Sequence, residues 1–220
     1  MKTEIKGIPS FGYIDVTLEP GESICCESDA MASMSSGLDM DVKLNGGFFS
    51  AIFKRFFGDE SFFLSHFKNN TQQSGKIVIV QDVPGEIREL TLNGNSYCLQ
   101  PGAYLASTGD VKLGIKWAGF VSFIAREGLF KLVVSGNGKV WFGAYGGLLE
   151  HEVDGDFLVD TSHLVAYEPQ MKLKLQFAGG IFSSILGGEG LVTRMEGKGK
   201  IIIQSRSLSG LSSWINPKFW

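Results

Sequence analysis

Three glutamates, Glu60, Glu127 and Glu189, each stand just before an apolar strand start, at Phe62-Phe63, Leu129-Phe130 and Leu191-Val192. Carboxylates gathered on a ring could hold a cation or pair with lysines. Scattered, they are solvated charges, the ordinary state of an ionised side chain. The other chemistry-bearing residues are sparse. His66, His151 and His163 include no His-x-His pair and sit at unrelated positions, so no histidine metal centre with three or four converging ligands is expected. Cys25, Cys26 and Cys98 lie in strand-like stretches with no neighbouring histidine, and Gly-x-Ser-x-Gly does not occur. Gly136-Asn137-Gly138-Lys139 leads into Val140 and an apolar run, where a phosphate loop needs Ser or Thr and a helix. Asn69-Asn70-Thr71 matches a glycosylation sequon, but the N-terminus has no apolar leader, so the match is read as accidental. No catalytic, metal or cofactor-binding residue is assigned, and no cofactor is expected.

The elements that would position the glutamates come from repetition. Gly21, Gly94 and Gly155 each open a unit, and Gly46, Gly119 and Gly179 follow 25, 25 and 24 residues later. Gly75, Gly138 and Gly199 close each unit, always followed by a lysine (Lys76, Lys139, Lys200) and an apolar run. Between the first two markers lies an alternating strand: Met40-Val42-Leu44, Leu113-Ile115-Trp117 or Leu173-Leu175-Phe177. Period-2 patterning at matched offsets indicates three β units. The turns Glu19-Pro20-Gly21, Asn93-Gly94 and Asp154-Gly155 read as hairpins, because Asn-Gly and Asp-Gly favour positive φ. The third unit ends soon after Ile203, while a strand precedes the first. Residues 5–18 are therefore expected beside the end of the third unit, closing a ring without free edges.

The first unit carries about ten extra residues, and insertions in repeats fall in loops on one face. This lengthened stretch, residues 48–57, includes Phe48, Phe49, Phe53, Phe56 and Phe57 around Lys54 and Arg55, with apolar residues at helical spacing. A shorter version is Ile181-Phe182 with Ile185-Leu186. Such a stripe either packs into a core or partner, the commoner use, or inserts into a membrane interface. Trp214, Phe219 and Trp220 add a second aromatic patch at the C-terminus.

Composition agrees with a folded β protein: 220 residues, 44% hydrophobic, 29 Gly, 17 Phe and only 6 Pro. A net charge of −3 gives no overall basic balance for nucleic acid. No apolar run is long enough to span a bilayer as a helix. Three cysteines, with Cys25 and Cys98 in one repeat column, read as small buried side chains in a reducing cytoplasm.

The three units, the run Lys54-Arg55-Phe56-Phe57-Gly58-Asp59-Glu60-Ser61-Phe62-Phe63 and the Gly-Lys-apolar closers resemble the mitochondrial-biogenesis family named for altered inheritance of mitochondria, protein twenty-four. The resemblance covers roughly residues 3–206. It implies a fold like the tryptophan RNA-binding attenuation protein, a short double-stranded β-helix type repeated three times. It implies no catalytic motif. The tail 207–220 departs from the Gly-rich endings of that family.

The expectation is therefore an all-β domain over residues 1–206 in three pseudo-threefold repeats, about 1–81, 82–143 and 144–206, with short helical insertions. A tail, 207–220, follows. The expected role is a cytoplasmic, non-enzymatic scaffold or protein-interaction protein that self-associates. Its alternative is a small-ligand or lipid-binding module using residues 48–57 at a membrane surface. No nucleic-acid partner is expected.

Overall fold

The computed structural model describes residues 1–44, 63–100, 102–117, 130–177 and 191–216, and there the chain is predominantly β. A first segment holds β2 (Tyr13–Leu18), β3 (Ser23–Glu27), β4 (Met31–Met34), β5 (Asp39–Leu44), β6 (Phe63–Lys68) and β7 (Gly75–Val80), preceded by β1 (Lys2–Lys6). A second holds β8 (Ile87–Leu99), β9 (Tyr104–Thr108), β10 (Val111–Trp117) and β11 (Phe130–Gly143). A third holds β12 (Leu148–Asp160), β13 (Leu164–Tyr167), β14 (Lys172–Phe177) and β15 (Leu191–Gln204), then helix α1 (Leu208–Ile215). Ser207 caps α1, its side chain accepting from Gly210 N–H. The segments 48–57 and 181–186, expected to be helical, lie outside the described residues.

The strands form two sheets. One runs β1-β2-β7-β4; the other runs β12-β15-β13-β8-β11-β9-β3-β6-β5, with β10 also on β11 and β14 also on β15. Leu18 faces Gly75, Leu92 faces Gly138 and Val153 faces Gly199. Those glycines are needed for close approach. A Cβ on Gly75 would sit 2.5 Å from Leu38 Cδ2, and one on Gly199 would sit 2.8 Å from Met171 Sδ. On Gly138 it would run into Thr108 and Val111.

The following lysine has its own reason. The backbone N–H groups of Lys76, Lys139 and Lys200 donate to Ser35 Oγ (2.9 Å), Thr108 Oγ1 (3.1 Å) and Glu168 Oε2 (3.1 Å). The ammonium groups of Lys139 and Lys200 each reach a cross-strand carboxylate at 2.8 Å, Glu89 and Glu150.

Two expectations are corrected. Asn93-Gly94 and Asp154-Gly155 are not hairpins: β8 and β12 run through them as single strands of 13 residues. Gly94 and Gly155, at φ +82° and +111°, bend each strand without reversing it, as strand glycines do at corners. Glu19-Pro20-Gly21 is a tight turn, closed by Glu22 N–H to Glu19 O at 3.0 Å, but it makes no hairpin either: β2 pairs with β7 and β3 with β6, and the two do not pair with each other. Ring closure is not made by the described strands either. Residues 2–18 pair with one another and with β7, while β15 pairs with β12, β13 and β14.

Three apolar clusters share the sheets between them. Cys26, Leu105, Ala106 and Trp141 join the first segment's core, whereas Cys25, Tyr104, Val140 and Phe142 join the second's. Likewise Leu99, Ala166 and Ile202 belong to the second core and Cys98, Tyr167 and Ile201 to the third. Neighbouring residues on these strands thus bury opposite faces. That is why they read as unbroken apolar runs (Val140-Trp141-Phe142, Ile201-Ile202-Ile203) instead of alternating.

Candidate functional site

Most of the sequence candidates fall outside the described residues. Glu60, Phe49, Phe53, Lys54, Arg55 and Phe56 lie between β5 and β6, Glu127 between β10 and β11, and Glu189 between β14 and β15. Phe219 and Trp220 follow the last described residue. Hairpin register brings the chain to these segments through the end pairs Leu44–Phe63, Trp117–Phe130 and Phe177–Leu191. Trp214 is described: it sits on α1 at 63% exposure, with Leu208 also exposed. No residue of α1 is buried.

The outer strands of the three hairpins are edges. β5, β10 and β14 each pair on one side only, with β6, β11 and β15, among the described residues. On β5 the apolar positions Met40 and Val42 face solvent. Edge strands normally protect themselves with charge, and here Asp39 and Asp41 alternate with the apolar pair. The arrangement suits docking of another polypeptide.

One polar row crosses the sheet toward the second core. Ser107 stands opposite Cys25, Cys25 opposite His66 and His66 opposite Asp41. Cys25 Sγ lies 3.7 Å from His66 Nε2, Tyr104 Oη contacts Ser107 Oγ at 2.9 Å, and the Tyr104 hydroxyl donates to the Cys25 carbonyl at 3.3 Å. A thiol beside an imidazole is the pair that generates a nucleophilic thiolate in an exposed, electropositive setting. Here the cysteine is buried in an apolar cluster, which disfavours the charged form. Burial likewise pushes the Cys26 thiol and the Tyr104 phenol well above their ordinary ranges. Sequence reading gave Cys25 no histidine neighbour; the β3–β6 register supplies one across a long insertion. Polar residues alternating on β3 and β6 were the only available signal.

Elsewhere the polar groups organise the surface. Glu86 accepts from Arg88 Nη2 at 3.0 Å and from Leu148 N–H at 2.9 Å, tying the second segment to the third. The Lys200 ammonium is held above its usual range by its hydrogen bond to Glu150. The sequon residue Asn69 is fully buried. Its amide donates to the Leu18 and Gln73 carbonyls at 2.8 Å and accepts from Thr71 N–H and Oγ1. It is a loop organiser, closed to glycosylation. Among the described residues no three His, Cys, Asp or Glu side chains are placed to hold a metal ion, and no helix is long and apolar enough to cross a membrane.

Comparison with known proteins matches residues 3–206 to the family model described as mitochondrial biogenesis AIM24. An uncharacterized protein of Streptococcus pyogenes serotype M6 is 27% identical over 217 residues, covering 94% of this chain and 87% of that protein. A crystal structure of another Streptococcus pyogenes protein superimposes with a TM-score of 0.80 at 26% identity, covering 99% of both chains.

Proposed function

The chain belongs to the mitochondrial biogenesis AIM24 family, and from that premise we propose a non-enzymatic scaffold that binds other polypeptides, its own copies included, through exposed strand edges. Its body, in this reading, is three copies of one unit, in the manner of the tryptophan RNA-binding attenuation protein, with the joint between the third and the first left open among the described strands. Support for the repeat comes from Leu18–Gly75, Leu92–Gly138 and Val153–Gly199, each with a side-chain acceptor (Ser35, Thr108 or Glu168) on the next residue's N–H. Three buried cysteines held as thiols favour a reducing, cytoplasmic setting.

The observation that carries the docking reading is β5, an edge strand with Met40 and Val42 in water. β-Augmentation uses such an edge: backbone hydrogen bonds give affinity, and alternate side chains give specificity. The test is to replace Met40 and Val42 by Lys together, and separately Cys25 by Ser, in the native cell. The scaffold reading expects the Met40/Val42 variant to lose its crosslinked partners and reproduce the deletion phenotype. A cell that tolerates that variant yet fails with Cys25→Ser would sink the reading in favour of chemistry at the thiol.

A further inference from the structure

The three segments are joined in the chain by one kind of contact, used twice and left open a third time. β9 lies antiparallel on the edge of β3, with Cys25 opposite Ser107 and Cys26 opposite Ala106. β13 lies in the same way on β8, with Cys98 opposite Tyr167 and Leu99 opposite Ala166. The strand corresponding to β9 and β13 in the first segment is β4. Met34, Ser107 and Tyr167 face Ile77, Val140 and Ile201, each two residues beyond a closing glycine. All three strands then carry a one-residue register shift, at Ala32, Leu105 and Val165. The strand corresponding to β3 and the end of β8 is the end of β12. Cys26, Leu99 and Val159 each turn into the core of their own segment, so Cys25, Cys98 and Leu158 turn to the opposite face.

Among the described residues, β4 pairs only with β7, and β12 only with β15. Burial follows the missing joint at both ends. Leu105 and Ala106 are 3% and 0% exposed, Val165 and Ala166 1% and 0%, because each pair enters the core of the segment before it. Their counterparts Ala32 and Ser33 are exposed. Trp141 and Ile202 are buried in the same preceding cores, and their counterpart Val78 is half-buried. On the other side Cys25 and Cys98 are 6% and 1% exposed, whereas Leu158 is 56% exposed. Among the described residues the third core has eight buried side chains, against fifteen and fourteen in the others, and none of them comes from a following segment. Neither end is blunted as free edges usually are: β4 reads Met-Ala-Ser-Met, and β12 approaches its end through Phe-Leu-Val.

We propose that the chain associates head to tail, the outer edge of β12 in one copy receiving β4 of the next. The in-chain joints set the register: Leu158 opposite Met34 of the next copy, and Val159 opposite its Ser33. That docking continues the long sheet into the four-stranded sheet of the neighbour. It also brings Ala32, Ser33 and Val78 onto the third core, as Leu105, Ala106 and Trp141 cover the first. The contact is heterologous, so copies add until the rotation closes a ring or a filament grows. This inference rests on the repeat and the self-association proposed above.

Sedimentation velocity and light scattering across a concentration series test it, using the whole chain. Wild type is expected to form species larger than a dimer as concentration rises. Ser33→Lys and Leu158→Lys replace exposed side chains and should leave the thermal melt unchanged. Each variant alone blocks one end of every copy and is expected to be monomeric. Mixed together, they present one intact β12 edge and one intact β4, and should form a 1:1 dimer that grows no further. A wild type that stays monomeric at its highest soluble concentration overturns the inference. So does either variant alone still associating, or a mixture that remains monomeric. A monomer that still loses its partners with the Met40/Val42 variant removes this inference alone and leaves the scaffold reading standing.

Discussion

Alanine at the three closing glycines should destabilise the protein in the order Gly138, Gly75, Gly199, because different atoms stand in the way. At Gly75 the new Cβ meets Leu38 Cδ2 at 2.5 Å, and Leu38 is 5% exposed. Carbon pairs rest at about 3.5–4.0 Å, so a packed leucine must move by roughly an ångström. Overpacking of that kind costs about 1–3 kcal/mol, and about 2 kcal/mol is expected here. At Gly138 the Cβ drives against Thr108, whose Oγ1 holds the Lys139 N–H at 3.1 Å. Displacing it adds the loss of a hydrogen bond, about 1 kcal/mol. The backbone there sits at φ +143°, adding strain of about 1–3 kcal/mol. At Gly199 the obstacles are Met171 Sδ and Glu168 Oε2 in flexible side chains; moving Glu168 gives up its bond from the Lys200 N–H, and about 1 kcal/mol is expected. Urea unfolding followed by fluorescence and circular dichroism reads these differences as midpoint shifts, about 1 M for 2 kcal/mol at an m-value of about 2 kcal/mol/M. The decisive comparison is Gly75→Ala in a Leu38→Ala background. Leu38→Ala alone removes a buried side chain at about 2–5 kcal/mol. With the obstacle gone, Gly75→Ala should then cost almost nothing, a coupling of about 2 kcal/mol. Equal costs in both backgrounds, or three alanine variants all within about 0.5 kcal/mol of wild type, would refute the close-approach account.

Three further outcomes are expected. Asn69→Ala strands the Leu18 carbonyl, while the Gln73 carbonyl keeps the Thr71 hydroxyl at 2.9 Å, and should lower stability by about 2 kcal/mol; a melt within a degree of wild type contradicts its role as loop organiser. The Lys6 hydrogen bond holds the Asp15 carboxyl below its usual range, and the same bond raises Lys6. The pair's contribution is therefore complete between about pH 4 and pH 10. It is lost as pH falls through the lowered Asp15 value or rises through the raised Lys6 value; a carboxyl NMR titration in which Lys6→Met fails to move Asp15 upward contradicts this. If residues 48–57 serve a core or a partner contact, replacing Phe53 and Phe56 by Ala should lower the melting temperature or split an oligomer, since a buried Phe→Ala change costs about 3–5 kcal/mol; an unchanged melt together with lost sedimentation on anionic liposomes would transfer residues 48–57 to the lipid alternative.

The glycine markers were legible because a close approach tolerates few residue types, and Lys139 and Lys200 because each pairs with a carboxylate across the strands. The alternating strands Met40–Leu44, Leu113–Trp117 and Leu173–Phe177 were legible because side-chain period is 2 in any strand. The corners at Gly94 and Gly155 were misread for a physical reason. Positive φ at a glycine serves a reversal and a bend equally, and local sequence does not record whether the ladder continues. Pairing across long separations was also hidden. His66 reaches Cys25 only once the β3–β6 register is fixed, and the stretch between β5 and β6 has a length that no pattern sets. Ring closure is not made by the described strands; the expectation assumed that every edge is satisfied within one chain.

On the scaffold reading, the two edges left open among the described residues and the unequal hairpins bear on one question, how a body of repeats would recognise one partner instead of three. Strands that bury both faces, such as β3, β9 and the second half of β11, leave little freedom for surface chemistry, since a change toward either side disturbs a core. Recognition must therefore use what the segments do not share. The candidates are the ends of the chain, where β4 and Leu158 lack the cover their counterparts have, and the connection from β5 to β6, the longest of the three. The first lies outside the repeated core contacts. A head-to-tail array would consume the first and present the second once per copy at a regular spacing. Such an array gains avidity without new contacts when a partner spans neighbouring copies, which is what a scaffold requires and what a single catalytic pocket would not use.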